Sequence, residues 1–276
     1  MLKENFLCAG IITFNPNILR LEENIKSIIS NINKIIIVDN GSDNYDNIQN
    51  LCTHYEIEII ENEKNLGIAT GLNQLLLYAK KNGFKYLLTL DQDSVVKSNV
   101  LNVNRKLFCI EEIAIITPQI LDRNSDILQF SNDDVVIDVD WCITSGSVMN
   151  IDKCINVGPF DEKMFIDIVD FDYCYRVKKA GYRIVKNFAY CLLHELGEGF
   201  EEKKFPLHII VSHHKPIRHY YFVRNCIYQI KKYKSDLFLR SMKMVMKEFV
   251  VVILYEREKF SKILFMLRGI YDGCIL

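Results

Sequence analysis

Short apolar runs alternate with longer amphipathic stretches along the first part of the chain. Such alternation is typical of buried parallel strands that are joined by crossover helices. The apolar runs predict strands at residues 6–13, 34–38, 57–60, 86–90 and 113–117. The helical spacing between them predicts helices at residues 19–30, 48–54 and 68–81. The pattern therefore predicts the α/β class, with a mainly parallel central sheet flanked by helices.

The regular alternation ends in a polar, Asp-rich stretch at residues 122–134, which we interpret as a loop region. A second change follows Gly199, where the charge run 201–204 and Pro206 mark a boundary. Beyond it the sequence is rich in Tyr, Lys and Met with helical spacing. We predict one domain at residues 1–200 and a mostly helical extension at residues 201–276 that packs on it.

Composition narrows the choice of partners and compartment. The 276 residues are 49% apolar and 25% charged with a formal net charge of -1, so bulk charge attracts neither nucleic acid nor anionic lipid. Nine scattered cysteines without a Cys-x-x-Cys pair favour free thiols in a reducing compartment. The longest uncharged apolar run near the C-terminus, residues 249–255, is far below the roughly 20 residues that span a bilayer. We expect a cytoplasmic protein that is soluble or at most peripheral to the inner membrane, and no nucleic-acid partner.

Asp91 and Asp93 directly follow the predicted strand at residues 86–90. Residues two apart in extended backbone point to the same side, so the two carboxylates converge where ligands gather in α/β sheets. Two close carboxylates repel each other unless a cation neutralises them, and a hard divalent cation that also holds a diphosphate fits this need. A solvated turn at the end of a strand is the alternative interpretation.

Other polar groups follow the second and third predicted strands. Asp39 begins an Asp-Asn-Gly-Ser stretch that either aims a carboxylate at the N–H of a nucleobase or only makes a turn. Asn65, Gly67, Gly71 and Asn73 open a helix that either admits a nucleotide or is simply capped there. The spacing of these glycines matches neither a dinucleotide-binding loop nor a Walker loop, which argues against both chemistries.

A second acidic cluster holds Asp167, Asp170 and Asp172. If a helix begins at Asp170, its carboxylate lies near the positive end of that helix, with Asp167 just outside and Asp172 in the first turn. The apolar residues 164–166 lead into the cluster, which favours a partly desolvated acid with a raised pKa and a general-base role for Asp170. An N-cap with acids matched to the helix dipole explains the same residues.

His194 and a basic aromatic run complete the candidate chemistry. His194 lacks the second histidine of a metalloprotease motif and is either a third metal ligand, a phosphate contact or an ordinary loop histidine. If the run 218–225 is helical, Arg218 and Tyr221 share a face, as do Tyr221 and Arg224. Arginine forks suit a diphosphate, and a solvated basic face is the alternative.

In this order, the motifs resemble those of the inverting family 2 glycosyltransferases with a GT-A fold, and within them the bacterial rhamnosyltransferase-like group. The resemblance covers about residues 7–230. It rests on Thr13-Phe14-Asn15-Pro16, Val38-Asp39-Asn40-Gly41-Ser42, Asn65-Leu66-Gly67, Gly71-Leu72-Asn73, Asp91-Gln92-Asp93-Ser94, residues 141–147, the Asp170 cluster, His194-Glu195-Leu196-Gly197 and residues 218–225. The motifs up to Ser94 resemble the family's nucleotide and metal half, so the resemblance implies nucleotide contacts at Thr13, Asn15, Asn65, Gly67 and Asn73.

The resemblance also implies roles for the acids. Asp39 would bind the base, Asp93 with Asp91 the metal and diphosphate, and Asp170 would be the catalytic base. Val169-Asp170 stands where many members carry Glu-Asp, and a further acid is displaced to Asp167, so Asp167 is the second candidate for the base. This arrangement resembles the rhamnosyltransferase-like group and favours dTDP-L-rhamnose as donor.

The implied reaction is a single displacement with inversion, assisted by Mg²⁺ or Mn²⁺, in cell-surface polysaccharide synthesis. The acceptor would be a saccharide or a lipid-linked saccharide, and residues 1–200 would be the catalytic domain. The alternatives are a transferase with a UDP-hexose donor and a non-catalytic nucleotide-sugar-binding protein. The Met-rich, Lys-containing stretch after residue 240 either packs on the core or lies on a membrane.

Overall fold

The computed structural model describes residues 5–32, 34–123, 135–194, 201–203, 209–211 and 213–276. Its strands are β1 (Leu7–Thr13), β2 (Ile35–Asp39), β3 (Glu58–Glu61), β4 (Tyr86–Asp91), β5 (Val95–Val96), β6 (Ile113–Asp122), β7 (Val136–Asp138), β8 (Val148–Asn150), β9 (Arg183–His194), β10 (Glu201–Lys203) and β11 (Ile209–Val211). Its α-helices are α1 (Ile18–Ile28), α2 (Tyr45–His54), α3 (Ile68–Lys81), α4 (Val100–Val103), α5 (Ile151–Val157), α6 (Val169–Lys179), α7 (Pro216–Tyr233), α8 (Ser235–Leu254) and α9 (Lys259–Ile275).

The α/β class is confirmed, and the predicted strands and helices of the first part are all present. Helix α2 begins three residues before the predicted start, and β6 continues to Asp122 instead of ending at Thr117. Most of the predicted Asp-rich loop, residues 124–134, lies outside the described residues. The strands that were not predicted include the short β5, β7 and β8, which have too few residues for a visible pattern.

The main sheet is mixed. Its order is β3-β2-β1-β4-β8-β6-β9-β5, with β7 paired to β9. The first four strands in this order are parallel, and every residue of β1 and β2 is buried, as expected for strands covered on both faces. Strand β8 pairs antiparallel with both β4 and β6. The sequence thus predicted all four strands of this parallel group and, beyond it, only β6, which pairs parallel with β9 and antiparallel with β8.

The chain forms two compact units. Unit 1 comprises Met1–Glu162 and Asp170–Glu195, and unit 2 comprises Lys163–Val169 and Leu196–Leu276. Unit 2 therefore takes up a short segment just before α6, which nothing in the sequence indicated. The boundary near residue 200 stays a prediction.

Unit 2 is built around α7, against which α9 packs at very short distance. A Cβ atom added to Gly269 or Gly273 would lie 2.6 Å from the carbonyl oxygens of Tyr220 and Arg224, respectively. Glycine is therefore required where the two helix backbones approach each other. No helix among the described residues is long and apolar enough to cross a membrane.

A buried ion cluster joins the start of α9 to the loop before α7. The Glu256 carboxylate accepts from Lys262 Nζ at 2.6 Å and lies 3.0 Å from His213 Nδ1, and the Glu256 and Lys262 side chains are 1% and 3% exposed. Burial raises the pKa of Glu256, but the hydrogen bonds from Lys262 and His213 outweigh burial and hold this pKa below its ordinary value. The cluster thus keeps a charged carboxylate inside unit 2.

Candidate functional site

The carboxyl ends of three parallel strands in unit 1 meet at one edge of the sheet. The register pairs Thr13 of β1 with Asp39 of β2, and Ile12 of β1 with Asp91 of β4. Since ligands bind outside this edge in open α/β sheets, the parallel register gathers the first predicted site residues where a ligand is expected.

Asp39 organises this edge from inside the protein. Its carboxylate is fully buried and accepts from Thr13 Oγ1 at 2.8 Å, from Ser42 Oγ at 2.5 Å and from the Ser42 backbone N–H at 2.9 Å. These bonds join the end of β1 to the turn after β2. The three hydrogen bonds give Asp39 a structural role. Its contact with a nucleobase stays a prediction.

Two turns at this edge hold the predicted asparagines, one exposed at Asn15 and one half-buried at Asn65. Asn15 has a left-handed φ of 48°, its backbone N–H donates to Ser42 Oγ at 2.8 Å, and its Oδ1 accepts from the Asp43 N–H at 2.7 Å. Asn65 Oδ1 accepts from the Gly67 N–H at 2.9 Å, and Gly67 is the N-cap of α3, with a φ of 86° that favours glycine. Both turns are therefore shaped by local hydrogen bonds and lie beside the strand ends.

Asn73 is directed into the protein. Its Nδ2 donates to the Phe160 carbonyl at 3.0 Å and to Glu162 Oε1 at 2.8 Å, while its Oδ1 accepts from the Phe160 N–H at 2.7 Å. The side chain thereby ties α3 to the segment after α5. A nucleotide contact at Asn73 stays a prediction.

Strand pairing brings His194 to the Asp91–Asp93 motif. Strand β5 pairs antiparallel with β9, Val95 opposite Leu193, and this register continued by one residue sets Ser94 opposite His194. The His194 ring lies 3.9 Å from Asp91 Oδ2 through Nε2 and 3.9 Å from Asp93 Oδ1 through Nδ1. Three predicted residues that are up to 103 positions apart in the sequence therefore converge.

A chain of hydroxyl groups supports this convergence. Ser94 Oγ lies 2.9 Å from His194 Nδ1 and 2.7 Å from Ser145 Oγ, and the Asp91 backbone N–H donates to Ser145 Oγ at 3.0 Å. Ser94 and Ser145 are both buried. The network fixes the backbone around both aspartates, and neither serine was predicted to hold them.

The electrostatics of the pair indicate a need for positive charge. Burial raises the pKa of Asp93, the nearby Asp91 carboxylate raises it further, and His194 opposes both effects. Two carboxylates that repel each other in a partly buried site fit a hard divalent cation. In the described part of the chain, no three His, Cys, Asp or Glu side chains are arranged to hold a metal ion by themselves. The ligand role of His194 stays a prediction.

Asp170 lies in the first turn of α6, as predicted, and lines a cleft in unit 1. The cleft is small, with a cavity volume of ≈ 10 Å³, and its other lining side chains include Ile115, Cys142, Thr144, Phe160 and Tyr173. Asp170 Oδ1 accepts from the Phe171 backbone N–H at 2.9 Å. The carboxylate thus stands at the wall of a mainly apolar cleft.

An aromatic pair accompanies Asp170. The rings of Trp141 and Phe171 lie 4.7 Å apart between centroids at an interplanar angle of 32°, and Trp141 is 48% exposed. Phe171 directly follows Asp170 in the sequence. An exposed aromatic face of this kind suits the apolar C–H face of a sugar ring.

Asp167, the second candidate for the base, is engaged by an arginine within unit 2. Arg218 donates to both oxygens of Asp167, through Nη2 to Oδ1 at 2.7 Å and through Nε to Oδ2 at 3.0 Å. Burial raises the pKa of the Asp167 carboxyl, and the Arg218 charge opposes this rise. The Arg218 guanidinium stabilises the ionised form of Asp167 and thereby weakens this carboxylate as a base.

The segment around Asp167 has an unusual backbone. Phe165, Asp167 and Ile168 all have left-handed φ angles, of 57°, 63° and 64°. This conformation is unfavourable for residues other than glycine, above all for a β-branched isoleucine. Such a segment must be held in place by its surroundings.

Arg224 and Asn225 of α7 hold the segment around Asp167 in place. Asn225 Nδ2 lies 2.7–2.8 Å from the carbonyl oxygens of Met164, Ile166 and Asp167, and Arg224 Nη2 donates to the Lys163 carbonyl at 2.6 Å. Arg224 is only 8% exposed. Its guanidinium is therefore used inside unit 2, and a diphosphate contact at Arg224 stays a prediction.

Apart from Asn73 and Asp170, the predicted site residues thus fall into three groups. Unit 1 gathers Thr13, Asn15, Asp39, Asn65 and Gly67 at the edge of the sheet, and places Asp91 and Asp93 beside His194. Unit 2 joins Asp167, Arg218 and Arg224. The rest of the His194 motif, from residue 195 to 197, lies outside the described residues.

Comparison with known proteins gives these groups a context. Residues 8–160, more than half of the chain, match the model of "Glycosyl transferase family 2". A Shigella flexneri protein described as "dTDP-rhamnosyl transferase RfbF" is 25% identical over 249 residues, which are 84% of this chain and 82% of that protein.

Solved structures share the fold at low identity. A crystal structure of GalNAc-T7 with UDP, GalNAc and Mn²⁺ has a TM-score of 0.60 and 13% identity, over 81% of this chain and 48% of that one. A crystal structure of S. aureus TarS has a TM-score of 0.53 and 12% identity, over 97% of this chain and 71% of that one. The chain thus spans about half of the GalNAc-T7 structure and most of the TarS structure. Its fold is that of the GT-A glycosyltransferases, and the chain belongs to glycosyl transferase family 2.

Proposed function

We propose that this protein transfers L-rhamnose from dTDP-L-rhamnose to a saccharide or lipid-linked saccharide, with inversion at the anomeric carbon. The observation that carries the proposal is the convergence of Asp91 and Asp93 at the carboxyl edge of the parallel strands, in a chain of glycosyl transferase family 2. The choice of donor is supported by the similarity to the dTDP-rhamnosyl transferase RfbF along most of both chains. Cell-surface polysaccharide is the proposed product.

The donor nucleotide is proposed to lie along the edge that Thr13, Asn15 and Asp39 form, with Asn65 and Gly67 beside it. The first turn of α3, at the positive end of that helix, suits such a ligand. Asp91 and Asp93 are proposed to hold Mg²⁺ or Mn²⁺ together with the donor diphosphate. When bound, the cation supplies positive charge beside the leaving group.

Asp170 is the proposed general base. It takes the proton of an acceptor hydroxyl as that oxygen forms a bond to the anomeric carbon, while the bond from this carbon to the diphosphate oxygen breaks. The position of Asp170 at the cleft wall supports this role, whereas Asp167 has both oxygens paired with Arg218. The exposed Trp141 ring next to Phe171 is proposed to receive the acceptor sugar.

The proposed compartment is the cytoplasm, which the nine scattered cysteines support. A UDP-hexose donor is the second candidate, because the GalNAc-T7 structure of similar fold contains UDP, GalNAc and Mn²⁺. The two candidates differ in the nucleoside of the donor, thymidine against uridine, and in the sugar that is transferred.

Calorimetric titration tests the proposal with dTDP-L-rhamnose and UDP-N-acetylgalactosamine, each with and without Mn²⁺. We expect Mn²⁺-dependent binding that favours dTDP-L-rhamnose and is weakened at least tenfold in Asp93→Ala, because that variant loses a hard ligand. Asp46→Ala, which removes an exposed acid on α2, is the matched control and should bind like the wild type.

Turnover is measured in the same series as release of dTDP with a panel of saccharide and lipid-linked acceptors. Preference for the UDP sugar would replace the donor proposal by the second candidate. Metal-dependent binding without release of nucleotide from any acceptor mixture would instead indicate a nucleotide-sugar-binding protein.

A further inference from the structure

Helix α9 of unit 2 exposes a continuous apolar stripe. Five large side chains at intervals of three and four residues are more than half exposed: Phe260 (85%), Leu264 (57%), Leu267 (52%), Tyr271 (67%) and Ile275 (63%). This spacing places them along one side of the helix over about 22 Å. We call these five residues the α9 stripe.

The opposite side of α9 is already in use. Its buried residues are Lys262, Met266, Gly269 and Gly273, and the two glycines meet the backbone of α7. Leu267 precedes Gly269 by two positions, which on a helix is a rotation of about 200°, and the same offset separates Tyr271 from Gly273. The α9 stripe therefore points away from α7, and packing within unit 2 leaves it exposed.

The preceding helix repeats this arrangement. Leu239, Met246 and Ile253 of α8 are 70%, 58% and 50% exposed at intervals of seven residues, which keeps them on one side of the helix. Lys243 and Lys247 are exposed beside them. Both helices thus present large apolar side chains next to cations.

Among the exposed charged side chains of these two helices, cations outnumber acids. On α8, α9 and the turn between them, the exposed cations are Arg240, Lys243, Lys247, Arg257, Lys259 and Arg268, and the exposed acids are Asp236 and Glu258. Glu248 and Asp272 are partly exposed, and Asp272 Oδ2 lies 3.5 Å from Arg268 Nε. The chain as a whole has 34 basic and 35 acidic residues. The excess of positive charge is therefore local to the surface that also exposes the apolar side chains.

We infer that the α9 stripe and its flanking cations dock on an anionic lipid bilayer, with α9 lying in the interface. Helices that bind this way combine large apolar side chains with Lys and Arg, which attract anionic headgroups. A second copy of this chain fits less well, since two such faces would bring like charges together. The inference goes beyond the proposed reaction and does not depend on it.

Vesicle flotation of the full chain tests the docking. We expect the protein to float with vesicles made of equal parts of phosphatidylcholine and phosphatidylglycerol, to stay behind with phosphatidylcholine alone, and to release as salt rises. The double variant Leu264→Glu with Leu267→Glu should reduce partitioning more than about tenfold. Arg268→Gln, which leaves the α9 stripe intact, should reduce partitioning into the anionic vesicles about fivefold.

The control is Leu77→Glu, which makes the same change at a 63% exposed leucine on α3 of unit 1 and should float like the wild type. Circular dichroism shows whether each variant is folded, and Arg268→Gln keeps the test decisive if the double variant does not fold.

Wild-type protein that does not float with anionic vesicles, or flotation unchanged in Arg268→Gln and in the folded double variant, would overturn the inference. A dimer by light scattering that the double variant dissociates, without flotation, would assign the stripe to a second copy. The readout uses neither donor nor acceptor, so its failure is distinct from failure of the proposed transfer.

Discussion

The buried carboxylate of Asp39 offers the sharpest test of how the strand edge is held together. It accepts three hydrogen bonds, from Thr13 Oγ1 at 2.8 Å and from Ser42 Oγ and N–H at 2.5 and 2.9 Å. In Asp39→Asn the amide oxygen can still accept from the hydroxyls of Thr13 and Ser42. The amide NH₂ then replaces the oxygen that accepted from the Ser42 N–H. One charge-assisted bond is lost and a buried donor is left without an acceptor.

Each of these two effects is of known size. A hydrogen bond to a charged group contributes about 1.5–3 kcal/mol, and a buried unsatisfied group costs about 1–3 kcal/mol. The two overlap because both concern the Ser42 N–H, so we expect Asp39→Asn to lower the free energy of unfolding by about 2–3 kcal/mol.

Urea unfolding followed by circular dichroism measures this change. Asp43→Asn is the matched control, because Asp43 lies in the same loop with an exposed side chain, and its expected effect is within about 0.5 kcal/mol. An Asp39→Asn midpoint equal to that of Asp43→Asn would mean that the three hydrogen bonds of Asp39 do not stabilise the fold. Titration of both variants with dTDP is a separate readout of the base contact predicted for Asp39.

Three further predictions concern single side chains. Trp141→Ala should raise the acceptor KM about tenfold and leave the calorimetric affinity for the donor unchanged, since the ring is proposed to receive only the acceptor sugar; an unchanged KM would contradict this. Arg218→Lys loses one bond of the bidentate pair and should lower the free energy of unfolding by about 1 kcal/mol, an effect that should vanish when Asp167→Asn is already present. The pKa of Glu256 is lower in the folded chain, so its stabilisation is present above the unfolded value near 4.5 and is lost as the pH falls through the folded pKa. In Glu256→Gln the urea midpoint should therefore fall less at low pH than it does in the wild type. An equally steep fall in both proteins would mean that the ion pair between Glu256 and Lys262 does not stabilise the fold.

The sequence was most informative where strands are parallel and buried. Continuous apolar runs located β1, β2 and β4, and parallel strands necessarily present their carboxyl ends at one edge. Thr13, Asp39 and Asp91 could therefore be expected together from the sequence alone. The burial of Asp39 could not, because it depends on hydroxyls that only the turn geometry brings within reach.

Of the strands beyond β4, the sequence predicted only β6, which pairs parallel with β9 and antiparallel with β8. His194 approaches Asp91 and Asp93 because the two-residue β5 pairs with β9, and two residues carry no periodic pattern. The left-handed backbone at Asp167 and Ile168 was equally invisible, since it depends on Asn225, which lies more than fifty residues further along the chain. Side chains that stabilise an unfavourable backbone leave no local signal in the sequence.

Asp170 is proposed to act as the base of the sugar transfer. Comparison of Asp170→Asn with the wild type tests this role, with dTDP-L-rhamnose and the acceptor mixture that supports release of dTDP. We expect kcat to fall about 10²–10⁴-fold while the calorimetric affinity for the donor changes only a few-fold, because the substitution removes a base and little volume. A wild-type kcat in Asp170→Asn, or a loss of donor affinity as large as the loss of kcat, would contradict it.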